Sequence, residues 1–235
     1  MNKKDIKNKN RSKRYIKISQ DLDKDKLYSK EEAISKIKEL TSVKFDESIE
    51  IHVKLGIDIK KTDQQIRTSV SLPNGTGKTK IVMVFAEGDL KTEAKKAGAD
   101  FIGDEETINE ILKTGKINFD VVISTPQMMP KISKISRILG PKGMMPNPKI
   151  GTVTTEIEKT VKEQKMGVIS SFRNDKTGNV HQIIGRKSFE ASKLIENFDA
   201  FIEKLKLVKP EGVKKSFIKS ITITSTMGPG LKVII

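Results

Sequence analysis

Residues 71–86 read SLPNGTGKTKIVMVFA, and the fold turns on how they are read. A phosphate-gripping loop closed by Gly77-Lys78-Thr79 would build the chain around a nucleotide. That loop needs G-x-x-x-x-G-K-[ST], so that backbone N–H groups turn inward around the phosphates while the lysine reaches the outermost ones. Five places before Gly77 stands Leu72. The motif should also follow a strand and open a helix, whereas the next residues form an apolar β-branched run. Upstream, Ile66, Thr68, Val70 and Leu72 alternate along one side. Pro73, Asn74, Gly75 and Gly77 are therefore turn chemistry between two extended segments, with fixed φ at proline and accessible positive φ at asparagine and glycine.

Downstream of this turn the pattern alternates strand and helix: IVMVFA, DLKTEAKKAGA, FIG, DEETINEILKTG, FDVVIST and PQMMPKISKISRIL. That is the grammar of a parallel sheet with crossover helices, a small doubly wound domain. Its first strand-to-helix turn reads AEGDL, with one glycine where a dinucleotide site needs three. The loop LGPKGMMPNPK at 139–149 has three prolines and two glycines and is read as a rigid return, with Met144 and Met145 as gap-filling core.

The flanks read differently. Ser29-Lys30-Glu31-Glu32 is a capping box ahead of the helical apolar positions Ala33, Ile34, Ile37 and Leu40. In SIEIHVKL, Ile49, Ile51, Val53 and Leu55 alternate with polar residues, the signature of a strand with one wet face. VISSFR and NVHQII flank Asn174, Asp175, Lys176, Thr177 and Gly178, read as a hairpin. Ala191, Leu194, Ile195, Phe198, Phe201, Ile202 and Leu205 sit at helical spacing, and FIKSITITST and LKVII read as strands. The expected fold class is thus α/β and α+β in two domains. Residues 1–75 and 167–235 form a discontinuous α+β domain, and residues 76–166 form an inserted Rossmann-like, three-layer α/β domain.

Charge separates the same segments. The 235 residues carry 45 basic and 30 acidic side chains, net +15. Residues 1–75 hold 18 basic and 12 acidic, residues 76–166 hold 15 and 12, and residues 167–235 hold 12 and 6, so the flanks carry most of the excess. Residues 1–17 alone have eight Lys/Arg against one Asp, read as a flexible basic tail. A polyanion partner follows. With no cysteine, a thiolate metal site or nucleophile is excluded, and His52 and His181 lack paired-ligand spacing, so no metal is expected. No apolar run spans a membrane and no leader is visible.

ILGPKGMMPNPK with the following GTV, LPNGTGK, FRNDKTG and STMGPG occur in one order along residues 25–232. Together they resemble the bacterial large-subunit ribosomal proteins of the L-one family, found at the mobile stalk beside the tRNA exit site. The resemblance implies a non-enzymatic, cytoplasmic ribosomal protein, monomeric off the ribosome, with no cofactor and no small-molecule substrate. It implies an RNA-binding domain built from both chain ends and an inserted domain on a hinge. Its partners would be large-subunit ribosomal RNA, exit-site tRNA whose release it assists, and its own-operon mRNA, which it represses. Carried onto this chain, the RNA-binding positions are Lys44, Phe45, Ser48, Glu50, Lys54, Asp175, Lys176, Thr177, Gly178, Ser220, Thr226, Met227 and Gly228. Independently of the family, those lysines suit phosphate, the hydroxyls suit a 2′-OH or phosphate oxygen, and the glycines admit close backbone approach. With no Trp and two Tyr, recognition of RNA shape is expected over base stacking. The rival readings are a nucleotide-dependent enzyme using the middle domain and a nonspecific DNA-binding basic protein.

Overall fold

A computed structural model of the protein describes residues 12–20, 22, 26–40, 43–213 and 216–234. In chain order the elements are α1 (Lys13–Gln20), β1 (Leu27–Tyr28), α2 (Lys30–Leu40), β2 (Ser48–Leu55), β3 (Arg67–Ser71), β4 (Val82–Phe85), α3 (Asp89–Lys96), β5 (Phe101–Gly103), α4 (Glu105–Thr114), β6 (Val121–Ser124), α5 (Met129–Ile132), α6 (Ser136–Leu139), α7 (Ile157–Lys165), β7 (Ile169–Arg173), β8 (Asn179–Arg186), α8 (Ala191–Leu207), β9 (Ile218–Ser225) and β10 (Leu231–Val233). Two compact units emerge, one from residues up to 66 and from 172 onward, the other from residues 67–171. Residues 67–75 and 167–171, assigned to the flanks by the sequence, group with the middle. The reason is that β3 and β7 pair as a two-stranded sheet of their own.

In the outer unit five strands run in the order β1-β10-β9-β2-β8. β1 is parallel to β10 and the other pairs are antiparallel, so both ends of the chain enter one sheet. Ile49, Ile51, Val53, Ile221, Ile223, Val180 and Ile184 are buried on one face. There α2 lies against β9 and β10, α8 lies against β8, and the two helices pack on each other through a core that includes Ile34, Ile37, Phe198 and Phe201. The β2–β8 register slips so that Ile49 faces Gly185 and Glu50 faces Ile183, leaving Ile184 as the bulged residue. Its carbonyl accepts from Asn197 Nδ2 at 2.7 Å, which explains a fully buried asparagine in the apolar stripe of α8.

The basic tail is described only in part, and one local expectation is corrected. Residues 1–11 of the basic tail lie outside the described residues, but residues 13–17 are helical. Ser12 Oγ accepts from the Tyr15 N–H at 3.3 Å, the cap that starts α1. The segment 169–186 is not one hairpin: β7 pairs with β3 while β8 joins the five-stranded sheet, and a single bridge, Asn174 to Val180, joins their ends. Asn174 is drawn to the other partner, its Oδ1 accepting from Ile66 N–H at 2.7 Å.

In the inserted unit β4 runs parallel between β5 and β6 and is buried throughout. Val82 and Val84 pack with Ala94, Ala97, Ile157 and Val161, from α3, its C-cap and α7. Met83 and Phe85 face the opposite way and pack with Ile108, Ile111, Ile132, Ile135 and Leu139. The middle sheet is therefore covered by helical residues on both faces, which is why β4 reads as a continuous apolar run. The 72–81 segment ends in a strand and opens no helix, so the phosphate-loop geometry is absent.

Candidate nucleic-acid interface

The face of the five-stranded sheet opposite α2 and α8 belongs to the polar partners in the alternation. Along β2 these are Ser48, Glu50, His52 and Lys54. The register sets them in cross-strand rows: Glu50 lies between Thr224 and Ile183, His52 between Thr222 and His181, and Lys54 between Ser220 and Asn179. At roughly 3.4 Å per residue, Ser48 to Lys54 covers about 20 Å. Phosphates along one strand of a nucleic-acid helix are spaced within reach of such a row, and hydroxyls and cations are what they and a 2′-OH accept or share.

At the Ser48 end, Thr226 N–H donates to the Ser48 carbonyl at 3.1 Å and the Ser48 N–H donates to Thr226 Oγ1 at 3.2 Å. This brings the Thr226, Met227 and Gly228 loop to the end of β2 that follows Lys44 and Phe45. Phe45 is 53% exposed and Met227 47% exposed, so neither is core. Gly228 is a glycine for want of space: a Cβ would stand 2.3 Å from Ser225 Oγ. Asp46 holds the approach in shape, accepting from Ser188 N–H at 3.0 Å and Ser188 Oγ at 2.8 Å. Arg14 of α1 reaches the same loop, its Nη2 donating to the Met227 carbonyl at 2.8 Å.

At the Lys54 end sits the 175–178 turn. Asp175 Oδ1 accepts from the N–H groups of Thr177 at 2.8 Å and Asn179 at 2.7 Å, and Oδ2 accepts from the Thr177 hydroxyl at 2.7 Å. Burial favours the neutral acid, but these donors together with His181 outweigh it and hold the carboxyl well below its ordinary range. Asp175 is therefore the organiser of the turn, while Lys176 and Thr177 are the exposed groups. Gly178 is buried, its N–H donating to Asp175 O at 3.3 Å and its carbonyl accepting from Leu55 N–H at 2.9 Å. Close approach of a ligand to the Gly178 backbone, as the sequence suggested, is thus closed off.

Thirteen sequence-derived positions therefore fall on one face and its two end loops, with Asp175 and Gly178 acting from behind. Not assigned as contacts from sequence were His52, His181, Thr222, Thr224 and Ile183, which share that face, and Arg14. The period-2 alternation of NVHQII carried the signal for His181 and Ile183 once β8 is placed beside β2. His52 Nδ1 and His181 Nδ1 are 2.8 Å apart, one donating and one accepting. Burial, and then the neighbouring His181, push the His52 pKa down, with Glu50 pulling the other way. Ile183, 40% exposed, is an apolar side chain in a polar row. No group of three or more metal-ligating side chains occurs among the described residues, and none of the described helices is long and apolar enough to cross a membrane.

The family model described as the ribosomal protein L1p/L10e family matches residues 36–229. The chain is 50% identical over 223 residues to the large ribosomal subunit protein uL1 of Macrococcus caseolyticus (strain JCSC5402), covering 95% of this chain and 96% of that protein. It is 49% identical over 222 residues to the protein of the same name from Thermosipho melanesiensis (strain DSM 12029 / CIP 104789 / BI429), covering 94% and 95%. To that of Kosmotoga olearia (strain ATCC BAA-1733 / DSM 21960 / TBF 19.5.1) it is 50% identical over 222 residues, again 94% and 95%. The chain belongs to the ribosomal protein L1p/L10e family, a family of structural ribosomal proteins and not of enzymes.

Proposed function

We propose that this protein is a constituent of the large ribosomal subunit that binds large-subunit ribosomal RNA at the mobile stalk. The RNA lies on the outer face of β9, β2 and β8, clasped by the Phe45 and Met227 loops at one end and the Lys176 and Thr177 turn at the other. The observation that carries this reading is the set of cross-strand rows of hydroxyls, imidazoles and lysine on the face opposite α2 and α8, with exposed Lys44 and Lys176 beyond its two ends. Asp175 and Gly178 serve by shaping the turn, Glu50 by accepting from a ribose 2′-OH, and Gly228 by admitting the tight loop. The inserted unit, on a hinge, assists release of deacylated tRNA from the exit site. The same RNA-binding face represses translation by taking the protein's own-operon mRNA. These last two roles are supported by the family resemblance.

A filter-binding titration of folded stalk RNA against duplex DNA of equal length tests the central reading. At about 0.15 M salt the stalk RNA binds at least tenfold more tightly, and Thr226→Val with Met227→Ala removes that preference. Equal affinity for the two nucleic acids would restore the nonspecific basic-protein reading. Addition of the protein to a cell-free translation of its own operon mRNA lowers synthesis, and the same double variant does not.

A further inference from the structure

The inserted unit carries a half-open pocket of about 200 Å³ whose chemistry the RNA reading leaves unused. Its lining includes Lys78, Lys80, Asp120, Met144, Gln164 and Ser171. Gln164 stands on α7 at the position that continues the buried stripe Ile157, Thr160 and Val161, and is itself only 3% exposed. Its side-chain amide, which carries both a donor and an acceptor, lines the pocket.

Two cations share the cavity. Lys80 Nζ donates to the Ile169 carbonyl at 3.3 Å, which occupies one of three N–H groups. Burial pushes the Lys80 amine down in pKa, Asp120 pulls it up and Lys78 pushes it down again. Asp120 Oδ2 accepts from Ile81 N–H at 3.1 Å and retains acceptor capacity. Met144 and Met145 also line the pocket, pack against the core and present polarizable surface. The 139–149 loop is held stiffly behind them. Thr152 Oγ1 accepts from Asn147 N–H at 2.8 Å and donates to the Asn147 carbonyl at 3.2 Å, and Asn147 Oδ1 caps Lys149 N–H at 2.8 Å.

Paired lysines, an amide with both a donor and an acceptor, a carboxylate and a soft apolar wall together match one phosphate and one heteroaromatic ring. The volume is below the roughly 300–1,000 Å³ that encloses a drug-sized ligand, so a dinucleotide does not fit and a single nucleotide is held with part of it in the open mouth. We propose that this cavity binds a single nucleoside monophosphate unit, with its base between the methionines and Gln164 and its phosphate at Lys78 and Lys80. The site lies at the amino ends of β4 and β6, since Lys80 precedes the first and Asp120 the second. Doubly wound domains hold nucleotides at the carboxyl ends of their strands. A search for glycine fingerprints at strand-to-helix turns therefore misses it. The ligand is bound, not transformed, and the inference does not depend on where ribosomal RNA sits on the outer sheet.

Isothermal titration of the full-length protein with each of the four 5′-ribonucleoside monophosphates, with inorganic phosphate and with a single-stranded hexaribonucleotide tests this. At least one monophosphate saturates at or below about 1 mM and inorganic phosphate binds about tenfold more weakly or not at all. Lys78→Ala, at the exposed rim, and Lys80→Met each weaken the monophosphate about tenfold while circular dichroism stays that of the parent. If the hexanucleotide binds more tightly and the monophosphate competes with it, the natural source is an unpaired residue of an RNA. If the monophosphate binds more tightly, the source is a free nucleotide. No saturable binding of any monophosphate up to about 10 mM, binding indifferent to both lysine variants, or phosphate alone binding as tightly as the nucleotides would overturn the proposal.

Discussion

His52 and His181 meet across β2 and β8 because the strand register places them opposite each other, and one proton already fills the space between their Nδ1 atoms. A second proton has to part them. The folded-state pKa of His52 is depressed, so unfolding takes up a proton below the ordinary histidine value of about 6.5, and stability falls as pH drops from 7 through that region. In His181→Ala the NMR titration midpoint of His52 moves up toward that value. An unmoved midpoint would assign the shift to burial alone. Asp175 works in a lower window. Its depressed folded pKa contributes stability at neutral pH that is lost only below the ordinary carboxylate range near 3.9. Asp175→Ala strips the turn of its acceptors and costs about 1–2 kcal/mol in urea unfolding, with weakened RNA binding as the second readout. The identity of His52 and His181 as polar positions of strands, and of Asp175 as a turn residue, was visible in the sequence. Their pairing was not, because it depends on which distant strand lies alongside.

Elements with a strict period were legible and those defined by a competitor were not. SIEIHVKL and SFEASKLIENFDAFIEKLKL declare themselves by spacing 2 and spacing 3.6, and both are found as read. α7 went unread although Ile157, Thr160, Val161 and Gln164 keep helical spacing, because only two of the four are apolar. The hairpin misreading has the same origin: turn residues at 174–178 look identical whether the two arms pair with each other or with separate sheets. Two substitutions probe the elements. Phe201→Ala on α8 removes a fully buried ring packed edge-to-face on Phe172 and costs about 3–5 kcal/mol by urea titration. Gly75 has φ of +61° and a Cβ there would stand 2.7 Å from the Met166 carbonyl oxygen. Gly75→Ala therefore costs at least about 1–3 kcal/mol in the inserted unit. A neutral result would mean the 72–78 turn relaxes freely.

For the molecule as a whole, the excess of cations on the segments that build the five-stranded sheet predicts how RNA binding responds to salt. Neutralising about five to eight phosphates gives a slope of roughly −4 to −7 in a plot of log affinity against log salt, and a flat plot would remove the electrostatic half of the proposal. A chain in which a short linker replaces residues 67–171 retains stalk-RNA affinity within a few-fold, measured by the same filter assay. Composition and motif order made the mixed α/β character readable in advance. The boundaries at 66/67 and 171/172 were not readable, since β3 and β7 carry strand signals that do not name their partner. The interleaved connectivity also sets a timetable for biosynthesis. The inserted unit has every one of its residues once position 171 has been polymerised. β2 must wait for β8 and β9, and β1 for β10 at the extreme carboxyl end. At about 5–20 residues per second, residues 172–235 take on the order of 3–13 s to be polymerised. During that interval the nascent chain carries one finished globule and an amino-terminal half-sheet with no partners, the stage at which a chaperone or premature nucleic-acid capture would act on it.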